Sequence, residues 1–566
     1  MKRVLNPILG TRPGIAVAAS GVIALAVMPI AAVMLIALSG NDDGTLQHLV
    51  STVLPQATRT TILLMAGVGI GTAATGVCSA WLVSSCRFPG KKLFEIALVL
   101  PLAMPLYITA FAYIEFFDYT GPLQTLVRSI GGYTSVREYW FPDIRSLPGA
   151  IFIMSSALYP YVYLTTRIVF LMQSASALNV ARTLGRSAYG AFWSVALPLA
   201  RPAIVAGVTL AMMECLNDIG AVELLGVRTL TFAVFDTWLN RGSLAGAAQI
   251  ATVMLAVVAL LVAGERMARR KQRFDVAARN IEPARPVQLS GWRTIAVCLA
   301  CSAPVVTGFL LPGYVLLDFA SRRLDALAAP ELHAALLNSL VMATGTASVA
   351  ILAALAIAYA MRLSPAPVTA LLGRIAVLGY AVPGTVLGIG VLIPLAGFDN
   401  WLDGRMREMF GIATGLLLTG SGAAIVYACS VRFLAVSFGA VEAGLSKISG
   451  HMDMAARTLG RTLPQTLAEI HLPLMRKCIA TAGLLVFVDT LKELSATILL
   501  RPFNFDTLAT LVYQTTARGA FEDAALPSLA IVAAGLVPVI LLIGQGDRRD
   551  LVRATPETIE GDALRA

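Results

Sequence analysis

Long apolar runs separated by short polar segments dominate this chain from end to end, with no strand-like alternation between them. A helix needs about 20 predominantly apolar residues to cross a bilayer core. By that measure the predicted spans are 14–38, 60–84, 94–115, 148–172, 199–216 and 245–264 in the first half. In the second half they are 294–318, 335–361, 374–397, 411–434, 478–496 and 524–544. The pattern predicts an all-α polytopic membrane protein with twelve transmembrane helices, six in each half. The fifth span of each half ends among polar residues. The first span is followed by others without a small-residue cleavage site, so it reads as retained.

Composition agrees with this picture. Hydrophobic residues make up 57% of the chain and charged residues 13%, with a mean hydropathy of +0.76. A soluble domain carries about a quarter charged residues. The net charge of +10 is concentrated in particular loops. Lys2, Arg3 and Arg12 precede the first span, and Arg87, Lys91 and Lys92 separate the second from the third. Arg266, Arg269, Arg270, Lys271, Arg273, Arg279, Arg285 and Arg293 lie between the halves, and Arg548, Arg549 and Arg553 follow the last span. With twelve spans these positions share one side, which the positive-inside rule makes cytoplasmic. The basic charge is thus explained by topology, and no nucleic-acid partner is expected; the lipid bilayer is.

A loop motif occurs twice. Ala181-Arg182-Thr183-Leu184-Gly185 is followed by Leu197-Pro198, and Ala455-Ala456-Arg457-Thr458-Leu459-Gly460 by Leu472-Pro473, at an offset of 275 residues. A repeat near half the chain length implies duplication. Ala80-Trp81 with Ala358-Tyr359, and Pro105 with Pro383, match at an offset of 278. Six spans per repeat put both repeats into the membrane in the same orientation, related by an axis along the membrane normal. The expected organisation is a first repeat at 1–264, a basic cytoplasmic linker at 265–293, a second repeat at 294–549 and a polar cytoplasmic tail at 550–566. The external loop 116–147, with Tyr133, Tyr139 and Trp140, is longer than its counterpart at 398–410. It reads as a contact surface for an external partner or as an amphipathic cover on the membrane.

Acidic residues mark a second feature. Glu214 and Asp218 are four apart, as are Asp489 and Glu493, so each pair shares a helical face. The repeat offset makes the two pairs equivalent. Carboxylates at membrane depth usually face a cavity and mark ion paths, and their oxygens suit hard cations. Helix-end solvation with structural pairing to Lys492 or Arg228 explains them equally. Tyr107, Tyr159, Tyr161 and Tyr163 offer phenol oxygens or simple aromatic packing. Cys298-x-x-Cys301 lies in an apolar span without a second pair and reads as packing. The histidines, His48, His333, His451 and His471, are scattered, and no stable metal site is predicted.

The two loops resemble the ATPase-docking loops of ABC-importer permeases, with Asn179 and Met454 where glutamate is usual and Val180 in place of the first alanine. The stretch from Lys492-Glu493-Leu494-Ser495-Ala496-Thr497 to Arg501-Pro502-Phe503-Asn504-Phe505-Asp506-Thr507-Leu508-Ala509 is similar to that of the ferric-iron permeases of this class; thiamine, polyamine and phosphonate permeases are related. The resemblance implies a bacterial inner-membrane permease with the type I importer fold. It also implies two ABC ATPase subunits docked at the loops and a periplasmic substrate-binding protein outside. No G-x-x-x-x-G-K-[ST] loop is present. The chain is therefore not expected to be an enzyme or to hold a cofactor, ATP and Mg being bound by the partner. An ion-coupled secondary transporter is the rival of another class, and it gives no reason for paired loops.

Overall fold

A computed structural model describes residues 13–39, 47, 49–172, 185–269, 287–363, 373 and 377–553. The first half is carried by α1 (Pro13–Ser39), α2 (Leu54–Ser85), α3 (Leu106–Phe117), α4 (Leu147–Met172), α5 (Leu197–Asn217) and α6 (Leu244–Arg269). The second is carried by α7 (Trp292–Val305), α8 (Leu311–Arg322), α9 (Pro330–Leu363), α10 (Gly384–Phe410), α11 (Ala423–Ser446), the short α12 (Gly450–Thr458), α13 (Leu472–Leu491) and α14 (Phe521–Arg553).

Ten helical stretches among the described residues are long and apolar enough to cross a membrane. The expected span 94–115 is not one of them. It is a bent pair, Lys91–Ala103 and Leu106–Gly131, with 95° between its arms. Pro101 and Pro105 cause the break. Proline cannot donate to a helical ladder, and it drives the residue before it out of the helical region. Met104 is accordingly extended, with φ −98° and ψ 111°. The expected span 478–496 corresponds to α13, which carries Arg476, Lys477 and Asp489 and so falls short on apolarity.

Two expected boundaries also move. Helix α10 starts at Gly384, just after Pro383, and runs through Phe410, so the expected external loop 398–410 is helical. The true turn is 411–422, where Gly411 and Gly415 take positive φ. Buried Asp399 organises this turn by accepting from the Leu418 and Thr419 amides at 3.0 and 2.9 Å. Helix α11 consequently begins at Ala423 rather than 411. The first-half external segment also contains a helix, Pro122–Gly131. Behind it Tyr133 stacks on Tyr139 at 5.2 Å, and Tyr139 donates to Gln124 Oε1.

In the first half α2, α4 and α5 pack on one another, and in the second α9, α11 and α13 do the same. Small residues allow this closeness where lipid supplies no hydrophobic driving force. A Cβ at Gly76 would lie 2.9 Å from the Tyr159 carbonyl oxygen. The first helix of each half crosses to the other half. Helix α1 packs on α9 and α10, with Leu25 O accepting from Tyr427. The turn between α7 and α8 packs on α4, and Thr307 O accepts from Tyr113 at 2.8 Å. One buried cluster, including Tyr107, Phe111, Cys215, Leu494 and Val512, therefore draws on both halves.

Candidate functional site

Residues at the C-terminal ends of α5 and α13 come together around one cavity. The cavity has a volume of about 90 Å³. Its lining contains all four carboxylates singled out from the sequence: Glu214, Asp218, Asp489 and Glu493. Tyr107, Tyr161, Tyr380, Asn217, Arg432 and Lys492 share it. Four carboxylates against two cations leave a formal surplus of two negative charges.

The carboxylates differ in their engagement. Glu493 is 5% exposed and accepts from the Ala496 and Thr497 amides and the Thr497 hydroxyl, at 2.9, 3.1 and 2.8 Å. It also pairs with Arg432 Nη1 at 2.9 Å. Asp218 accepts from the Ala221 amide at 2.6 Å, the same three-residue reach as Glu493 to Ala496. Glu214 accepts from Tyr380 at 3.0 Å and lies 3.9 Å from Arg432 Nη2. Asp489 pairs with Lys492 at 2.8 Å. The structural pairing expected with Lys492 thus occurs at Asp489, whereas Glu493 takes Arg432 rather than Arg228. Among the described residues no three His, Cys, Asp or Glu side chains are placed to hold a metal ion together.

Two bonds across the halves flank the cavity at Asn217. Asn217 accepts from the Gly384 amide through Oδ1 at 2.6 Å and from Ser495 through its carbonyl at 2.6 Å. Of the four tyrosines noted in the sequence, Tyr107 and Tyr161 line the cavity. Tyr159 packs in the core and Tyr163 donates to the Glu95 carbonyl at 3.4 Å. The Tyr107 hydroxyl and Arg432 Nε are buried without a hydrogen-bond partner. Sequence reasoning missed Arg432 and Tyr380. A lone arginine inside an apolar span, as Arg432 is in 411–434, was the available signal.

The second loop motif forms α12, with Ala455 and Ala456 in its last turns. Ala456 is buried, while Met452, Met454 and Leu459 are exposed, Leu459 to 80%. Arg457 is exposed as well. Gly460 ends the helix at φ 76°, and Gly185 takes φ 80° at the matching position. A Cβ is disfavoured there. Each motif then passes through a π-helical turn, Phe192–Ala196 or Leu467–His471, before Leu197-Pro198 or Leu472-Pro473 opens the next helix. Proline fits there because the first amides of a helix have no intrahelical acceptor. Ala181, Arg182 and Leu184 lie outside the described residues.

The family model for the binding-protein-dependent transport system inner membrane component matches residues 73–270. An Fe(3+)-transport system permease protein of Haemophilus influenzae is 25% identical over 491 residues, 85% of this chain and 88% of the relative. A molybdenum transport system permease protein of Escherichia coli K12 is 30% identical over 200 residues, 33% of this chain and 82% of the relative. A sulfate transport system permease protein of the same organism is 29% identical over 150 residues, 26% of this chain and 48% of the relative.

Proposed function

We propose that this chain, which belongs to the family of binding-protein-dependent transport system inner membrane components, moves ferric iron across the inner membrane as a fused permease built of two repeats. As a permease subunit of an ABC importer it works with a separate ATPase and a binding protein. The observation that carries the ferric assignment is the gathering of Glu214, Asp218, Asp489 and Glu493 from both halves around one cavity with surplus negative charge. Hard cations favour carboxylate oxygen. The match to a ferric-iron permease along 85% of the chain supports the same cargo. No resident metal site is required, because selectivity would reside in the binding protein and the cavity would offer only transient contacts.

Matched bonds support the two parallel repeats of six spans. The Leu230 amide donates to Thr61 Oγ1 at 2.9 Å, and the Leu508 amide donates to Ser339 Oγ at 2.7 Å, both members being 278 residues apart. The molybdenum permease is 82% covered by 200 residues of this chain, so about a third of the chain matches most of that relative. In this reading the bent pair and α13 complete the twelve spans, and the repeats occupy 1–264 and 294–549. The linker, both termini and the docking loops are cytoplasmic. Two ATPase subunits seat on Ala181, Arg182, Leu184, Gly185, Leu197 and Pro198 and on Ala455, Ala456, Arg457, Leu459, Gly460, Leu472 and Pro473. Their closure on ATP opens the cavity outward, and the loaded binding protein favours the same state.

The deciding experiment is uptake of ⁵⁵Fe³⁺ from the loaded binding protein into proteoliposomes holding this chain and its ATPase. ATP-dependent uptake is expected. Thiamine, phosphonate or a polyamine stimulating the ATPase where iron does not would replace the cargo and keep the class. Iron movement without ATP would instead favour an ion-coupled carrier.

A further inference from the structure

Asp453, in the first turn of α12, joins four segments of the second half. Its Oδ2 accepts from Arg362 Nε at 3.0 Å and from Nη2 at 2.7 Å. Its Oδ1 lies 2.7 Å from His471 Nε2. An ionised carboxylate only accepts, so Nε2 carries the proton of this bond. Arg362, at the end of α9, also donates to Leu445 O at 2.7 Å and Ile448 O at 3.0 Å, where α11 ends. His471 is 1% exposed and meets the Tyr359 ring edge-on at 5.7 Å. Tyr359 in turn donates to Leu463 O at 3.2 Å. Asp453 and Arg362 together thus tie α9, the end of α11, α12 and the turn that opens α13.

At the repeat offsets Arg362, Asp453 and His471 correspond to Ser84, Leu178 and Ala196. Ser84 donates within its own helix, to Ala80 O at 2.6 Å. Among the described residues the first half packs aromatic rings here, Trp81 against Phe170 and Phe192 at 5.3 and 4.8 Å, and α4 also carries an Arg167–Glu95 ion pair at 3.1 Å. Apolar contacts slide more easily than a forked, charge-assisted bond, whose geometry is directional. Helix α13 runs from His471 to the Asp489 end of the cavity, so a displacement of α12 reaches the carboxylates through one rigid element.

We propose that the Arg362–Asp453–His471 clamp transmits movement of the second docking helix to α9 and α13. The three are positioning residues, and the inference rests on the docking role proposed for α12. The test uses the whole transporter, with its ATPase and ⁵⁵Fe³⁺-loaded binding protein, and reads both uptake and ATP hydrolysis. Asp453→Asn and Arg362→Lys should still copurify with the ATPase and hydrolyse ATP, while iron moved per ATP falls about fivefold or more. His471→Phe, which keeps a ring beside Tyr359 and removes the donor, should fall likewise. Asp453→Glu should recover much of the ratio, and Ser84→Ala in the first half should leave it unchanged.

An unchanged ratio in both Asp453→Asn and His471→Phe would overturn the clamp. So would loss of ATPase copurification in step with uptake, since the residues would then serve only the fold of the loop. A wild-type transporter that moves no iron with ATP would count against the proposed function instead.

Discussion

Arg432 on α11 and Glu493 just beyond α13 form an ion pair at 2.9 Å, with side chains only 7% and 1% exposed. They are 61 residues apart in sequence, and the pair sits in the cavity wall with Glu214 beside it. Removing one partner of a buried pair leaves an uncompensated charge, which costs about 3–5 kcal/mol. Glu493→Gln should therefore lower the melting temperature of the purified protein clearly. Asp489→Asn should lower it less, because its pair with Lys492 is 28–29% exposed and makes fewer bonds than Glu493 does. Equal shifts in thermal unfolding would remove the distinction.

Glu214 has fewer bonds than Glu493 and faces the cavity. Glu214→Gln, combined with Asp218→Asn and Asp489→Asn, should abolish iron uptake while ATP hydrolysis stimulated by the binding protein persists. Unchanged ⁵⁵Fe³⁺ uptake in that triple variant would show that the carboxylates serve only the fold.

Gly185 and Gly460 hold φ of 80° and 76° with no heavy atom near an added Cβ. The obstacle to a side chain there is backbone conformation, about 1–2 kcal/mol per residue for a left-handed L-residue. Gly460→Leu should distort the loop without unfolding the protein. Copurified ATPase should fall, and Gly185→Leu with Gly460→Leu should stop ATP-driven uptake.

The matched bonds Thr61–Leu230 and Ser339–Leu508 make the duplication testable. Each variant, Thr61→Val or Ser339→Ala, leaves a buried backbone amide unsatisfied, at about 1–3 kcal/mol. Similar destabilisation is expected from both, measured by thermal unfolding. A strong effect at one site and none at the other would mean that the matched bonds are not energetically equivalent.

Hydrophobic runs, a repeated loop and four carboxylates at matched spacing are local properties of the chain. They were enough to foresee a helical membrane protein, the glycine turns at 185 and 460, and a pair of carboxylates near the end of each of two helices. They offered Lys492 and Arg228 as partners for the carboxylates, and Lys492 pairs with Asp489, three residues away. They did not foresee the bend at Pro105 or the shift of α10 and α11. The polar run from Asp399 to Glu408 reads as a loop, yet it continues α10, and the boundaries were set by Pro383 and by Asp399 reaching the amides of 418 and 419. Nor did they reveal Arg432 beside Glu493 or Arg362 beside Asp453, 61 and 91 residues apart. A run of hydrophobic residues determines that a helix enters the bilayer. Which buried charges meet inside is decided only when the helices pack, because the cost of an unpaired charge depends on what the fold places against it.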